Sequence, residues 1–116
     1  PNSVDLVAFL AARPTAHRRD AALAAVRDLL ATCATHGLLH NDLNARNILL
    51  ANVGDGVRAY VLDVEDVAWA PQRVEHVRAA NHARLARSLH KRVRMGDLDM
   101  TPQQVLTLIS ELESHA

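Results

Sequence analysis

Leu23, Val26, Leu30 and Cys33 recur at three- and four-residue steps, with Leu29 beside them. That spacing predicts one buried stripe on a helix running from Thr15 or His17 to His36. Gly37 is placed to end it in the left-handed conformation. Ahead of it, Leu6, Phe9 and Leu10, widened by Val7, form the apolar side of a shorter helix over 3–12. Asn2 or Ser3 would cap that helix and Pro14 would stop it. Past Gly37 the period is no longer helical. Leu38-Leu39 and Ile48-Leu49-Leu50 read as short buried strands around a polar loop. The turn at 52–56 (NVGDG) brings a strand over 57–63 back against 48–50. Residues 64–72 read as irregular. A helix over 73–95 follows, with Val74, Val77, Asn81, Leu85, Leu89 and Val93 on one face and Gly96 at its end. Thr101-Pro102-Gln103-Gln104 is a capping box with proline at the first helical position, opening a last helix over 102–114. The pattern predicts an α+β chain, mostly helical, with short antiparallel strands.

Composition narrows the class. Hydrophobic residues make up 49% of the 116, charges balance at 13 basic and 13 acidic, and Phe9, Tyr60 and Trp69 are the only aromatics. This is a globular composition. The even charge and scarce rings speak against a nucleic-acid binder. A single cysteine, Cys33, cannot form an internal disulfide, which favours a reducing, cytoplasmic setting, and the thiol is expected to be inert core. No apolar run reaches the length of a membrane span. The chain opens at Pro1 without an initiator methionine or a basic leader, so it is expected to be a piece of a larger protein.

The loop HNDLNARN (40–47) concentrates more short polar groups than a turn requires. Its spacing is His40-x-Asp42-Leu43-x-x-x-Asn47, and Asp63 closes a VLD strand end. The order H-x-D-L-x-x-x-N and then an aspartate resembles the catalytic loop and metal motif of the protein-kinase-like superfamily. The resemblance implies phosphoryl transfer, which needs a carboxylate to receive the acceptor proton and hard oxygen ligands to hold Mg2+ against ATP phosphates. Asp42 suits the first task, and Asn47 with Asp63 the second.

The wording is narrower still. HNDLNARNILL, then VLDVED, then NHARLARSLHK (81–91) resembles the lipopolysaccharide kinase family, whose members phosphorylate inner-core sugars such as 3-deoxy-manno-octulosonic acid (Kdo) and heptose. The resemblance spans about 36–91. It implies Asp42 as catalytic base, Asn47 and Asp63 as Mg2+ ligands, and ATP as the phosphate donor. By the same resemblance His40 supports the loop from beneath, Asn44 lies near the transferred phosphate, and Asn81 ties its helix to the loop. The bland alternative for Asn81 is a buried, hydrogen-bonded polar residue. Two positions depart from the family pattern. Val64 and Glu65 stand where phenylalanine and a second aspartate are usual, and His82 replaces a leucine.

A kinase-like ATP site also needs a glycine-rich strand pair and a strand lysine upstream. Ahead of His40 there is one glycine and no lysine. Residues 1–116 are therefore expected to form a protein-kinase-like C-terminal lobe, lacking its ATP-cradling N-terminal lobe and inactive alone. The short link between Asp63 and the helix at Arg73 favours a sugar or other small acceptor over a protein. An aminoglycoside- or choline-kinase-like enzyme and a non-catalytic pseudokinase-like module are the alternatives. His36 and His40 could suggest a zinc pair, but Gly37 breaks the helix between them. Residues 73–94 hold seven Lys or Arg and one acid, Glu75. That run is either a solvated face or a contact for core phosphates or an anionic membrane surface, peripheral on the inner membrane.

Overall fold

The computed structural model describes residues 3–62 and 67–113. Strand β1 (Ser3–Asp5) leads into α1 (Leu6–Ala11) and α2 (Ala16–Thr35). Strand β2 (Leu38–His40), a 3-10 turn (Ala45–Asn47), β3 (Ile48–Val53), β4 (Gly56–Val61) and β5 (Val67–Trp69) follow. Helices α3 (Val74–Arg94) and α4 (Pro102–Glu111) complete the described chain. The expected class is observed: α+β, mostly helical, with short antiparallel strands carrying the polar loop. One sheet has the order β1-β3-β4 and the other pairs β2 with β5, all antiparallel.

The core lies where α2, α3 and α4 meet the inner face of the larger sheet. Leu23, Val26 and Leu30 from α2 pack with Leu85 and Leu89 from α3, Ile48 and Leu50 from β3, and Leu108 from α4. Cys33, expected on this stripe, is only half-buried, and Ala22 and Ala34 fill the seam instead. Burial still pushes its thiol above the usual range, which keeps it in the unreactive form. Around the core, α2 and α4 are clasped by Arg19, which donates to both oxygens of Glu111 at 3.2 and 2.8 Å. The Arg27 guanidinium adds a bond to the Glu111 carbonyl at 2.7 Å.

Three expectations change. Residues 3–5 are not helical: they pair with β3 in the register Ser3↔Ala51 to Asp5↔Leu49. The helix starts at Leu6, and its cap is Asp5, whose carboxylate accepts from the Ala8 N–H at 2.9 Å; Ser3 lies in β1 instead, and Asn2 is outside the described residues. An open edge of β3 offers three residues a ladder that local propensity cannot foresee. Residues 67–69 are not irregular but form β5, because β2 presents them with a partner. The last helix ends at Glu111, short of Ser114, which is also outside the described residues.

Gly37 explains why β5 can lie there. Its φ is +69°, as a helix terminator requires. A Cβ at this position would also sit 2.4 Å from the Pro71 Cα and backbone nitrogen. Glycine lets the backbones close, and the Gly37 carbonyl accepts from the Ala70 N–H at 2.7 Å. The end of α2 and the return of β5 are thus joined at one residue.

Candidate active site

Strand β2 carries the chain to His40, and the 3-10 turn carries it away again into β3. Between them Leu43 and Ala45 are buried, anchoring the loop in the core, while Asn41, Asp42 and Arg46 are exposed. This in-and-out alternation leaves the loop backbone crowded with groups that need partners. The loop's own polar side chains supply them. Asn44 caps the 3-10 turn: its side-chain oxygen accepts from the Arg46 N–H at 2.9 Å, and its amide donates to the Asp42 carbonyl at 3.3 Å. The Asn47 amide donates to the same carbonyl at 3.1 Å.

His40 is 1% exposed and joins three segments. The Asp42 N–H donates to its Nδ1 at 3.2 Å, and its Nε2 lies 3.0 Å from the Leu62 carbonyl. Those two contacts call for the tautomer protonated at Nε2. The Leu62 N–H in turn donates to the Asn47 carbonyl at 2.7 Å. Leu62, the residue before Asp63 in sequence, is therefore tied to both ends of the loop. Asp63 itself lies outside the described residues. Both ring nitrogens of His40 are engaged and His36 is exposed, so the pair does not form a zinc site. Among the described residues no three His, Cys, Asp or Glu side chains gather as a metal cluster.

Helix α3 secures the arrangement from behind. Asn81 is fully buried; its Oδ1 accepts from the His40 N–H at 3.0 Å and its Nδ2 donates to the Leu38 carbonyl at 3.0 Å. Both earlier readings of Asn81 hold, since it is a satisfied buried amide whose bonds tie α3 to β2. Two helical turns on, Ser88 accepts from the Ala45 N–H at 2.7 Å. Sequence reasoning gave Ser88 no role. Its seven-residue step from Asn81, on the face that carries Leu85 and Leu89, was the available signal.

What remains unheld is the carboxylate of Asp42, which bonds to no described residue. It opens on a cleft of about 450 Å³ whose walls are the loop from Asn41 to Arg46 and one flank of α3. A larger hollow of about 630 Å³ lies near Arg13 and Asp99, away from the loop. Asn47, largely buried, has its N–H end on the Asp42 carbonyl, and its side-chain oxygen bonds to no described residue.

A carboxylate on a pinned loop between strands, backed by two helices, defines a protein-kinase-like lobe. The particular family follows from comparison. The model of the Lipopolysaccharide kinase (Kdo/WaaP) family matches residues 1–111, and the chain belongs to that family. Among solved structures it is similar to WaaP in complex with acyl carrier protein, with a TM-score of 0.66 at 20% identity. That likeness covers 95% of this chain and 46% of the other, so this chain spans about half the length of that relative. No curated protein matches the sequence.

Proposed function

We propose that this chain is the C-terminal lobe of a two-lobed kinase that transfers the γ-phosphate of ATP to a sugar hydroxyl of the lipopolysaccharide inner core, on Kdo or heptose. The observation that carries the reading is the Asp42 carboxylate: it bonds to no described residue, on a loop whose His40, Asn44 and Asn47 side chains are engaged in holding the backbone. A structural turn would spend its carboxylate on its own backbone. In the transfer, the acceptor oxygen bonds the γ-phosphorus while its proton passes to Asp42. The bond from that phosphorus to the bridging oxygen breaks, and ADP leaves with the electron pair.

His40 and Asn44 hold the loop that aims Asp42, with Asn44 on the side of the transferred phosphate. The oxygen end of Asn47 and the carboxylate of Asp63 are hard ligands of the kind Mg2+ takes, and few protein groups suffice for it. When bound, the metal neutralises phosphate charge on ATP. An upstream lobe would supply the phosphate cradle and lysine and would cover Tyr60 and Leu62, which lie exposed on one face at the end of β4. Without that lobe the chain is expected to be inactive, because positioning supplies most of this catalysis. Among the described residues no helix is long and apolar enough to cross a membrane. The proposed acceptor would be met at the cytoplasmic face of the inner membrane.

The test is Asp42→Asn in the protein carrying its upstream segment. Turnover should fall about a hundred- to ten-thousand-fold, with the melting transition unchanged. Turnover within about twofold of the parent would remove Asp42 from the role. A panel of core sugars and aminoglycosides separates the proposal from an aminoglycoside- or choline-kinase-like activity. Nucleotide binding without turnover on any acceptor would indicate a non-catalytic module.

A further inference from the structure

The flank of α3 that faces Asp42 is cationic along its length. Arg84, Arg87, Lys91 and Arg94 follow one another at steps of three and four, which places them in one stripe of about 15 Å along the helix. This stripe adjoins the buried face of Asn81, Leu85 and Leu89, so docking α3 against the loop also fixes where the stripe points. Arg46 reaches in from the loop and Arg92 from the helix. Both donate to Asp97, at 3.0 and 2.7 Å, and that carboxylate sits at one end of the group. Among the described residues the four stripe cations form no ion pair, and the cleft's lining includes one acid, Asp42.

Such a density of like charge is unfavourable unless an anion joins it. We infer that this cleft binds the acceptor through anionic groups of its own, carboxylate or phosphate, placed beside the hydroxyl that reacts; the inference rests on the kinase reading above. The reacting hydroxyl must lie at Asp42, and the cations begin within the same cleft. The stripe is longer than one carboxylate or phosphate, so it fits an acceptor carrying at least two. ATP is a poorer occupant. The cleft's lining takes in Asn41 to Asn44 and Arg46 but neither Asn47, the loop residue proposed for the metal, nor Leu62, which precedes Asp63 in sequence. A flat membrane surface is also a poorer fit, since the charges line a concave wall rather than a plane.

The experiment uses the protein with its upstream segment, the triple variant Arg84→Gln/Arg87→Gln/Lys91→Gln, and a soluble inner-core oligosaccharide. The same oligosaccharide, carboxyl-reduced and dephosphorylated, serves as the uncharged acceptor. The variant should raise KM for the native oligosaccharide about tenfold or more, with kcat and the KM for ATP nearly unchanged. The parent should lose the same discrimination as salt is raised, whereas the variant should respond little. Arg18→Gln, an exposed cation on α2, serves as the control. Binding of the native oligosaccharide to Asp42→Asn protein should show the same dependence on the three cations. That measurement separates the two readings, because it tests the cleft whether or not Asp42 is the base. An unchanged acceptor KM overturns the inference. So does a rise in the KM for ATP instead, or a loss confined to binding of phosphatidylglycerol vesicles.

Discussion

The two sides of α3 treat polar chemistry in opposite ways. On one side, Asn81 bonds the backbone of β2 and Ser88 that of the 3-10 turn, beside a face closed by Leu85 and Leu89, with Ser88 at its edge against the cleft. On the other, Arg84, Arg87, Lys91 and Arg94 line an open cleft and pair with nothing described. Burial explains the difference. A backbone N–H or carbonyl shut away from water needs a partner, so short neutral side chains are held there in one geometry. A guanidinium at the surface stays solvated until a ligand arrives, and its value is in what it can still bind. The same contrast runs within the loop, where Asn44, Asn47 and His40 are held and the carboxylate of Asp42 is not. Groups consumed by the fold position the site, and groups left over are the ones available for chemistry.

That contrast can be broken most severely at Gly37. Gly37→Ala combines a left-handed backbone that L-residues resist with a Cβ driven against the Pro71 backbone. It should cost about 2–5 kcal/mol in urea unfolding, and β5 should lose its protection from hydrogen exchange. A cost under about 1 kcal/mol would mean that α2 and β5 are not joined there in solution.

Asn81→Ala removes both partners of buried backbone groups, the His40 N–H and the Leu38 carbonyl. About 2–4 kcal/mol of stability should be lost. Ser88→Ala strips only the Ala45 N–H and should cost about 1–2 kcal/mol. Both are measurable by chemical denaturation, and the stripe charges give the comparison its other half. Arg87→Gln should leave stability within about 0.5 kcal/mol of the parent, as substitutions at solvated surface positions usually do. If Arg87→Gln destabilised as much as Ser88→Ala, the division between the two sides of α3 would fail.

The smallest effect concerns the clasp at the opposite end of the core. The hydrogen bonds from Arg19 hold the Glu111 carboxyl below its ordinary range, against the opposing effect of burial. A lowered native pKa means the unfolded chain takes up the proton first as acid is added. The stabilisation is therefore full above the unfolded value, about 4.3, and is lost as pH falls through the native one. Both side chains are about one-third exposed, at 31% and 35%, so Glu111→Gln should cost no more than about 1 kcal/mol near neutrality. The gap between variant and parent should close in acid. A gap that persisted at low pH would show that the amide is repelled for reasons other than charge.

Helix α2, helix α3 and the opening of α4 were legible because the signals that build them are local. The stripes of Leu23 and Leu85, the stop at Gly37 and the capping box at Thr101 each act within a few residues of chain, and the structure places them as read, with Cys33 falling to the edge of its stripe. The polar loop between β2 and β3 was legible as a loop, since its short polar groups are written into consecutive residues. Strands β1 and β5 were not, because three residues have no periodicity of their own and take the form of whatever edge they meet. The role of Ser88 and the cleft before Asp42 belong to the same kind. The sequence by itself determined which residues could be buried, which could cap and which could carry a reaction. Only the docking of α3 against the loop decided that Asn81 turns inward and Ser88 meets the Ala45 N–H while the neighbouring arginines line the cleft with Asp42, because a helix rotated by a quarter turn would present a different set of the same side chains.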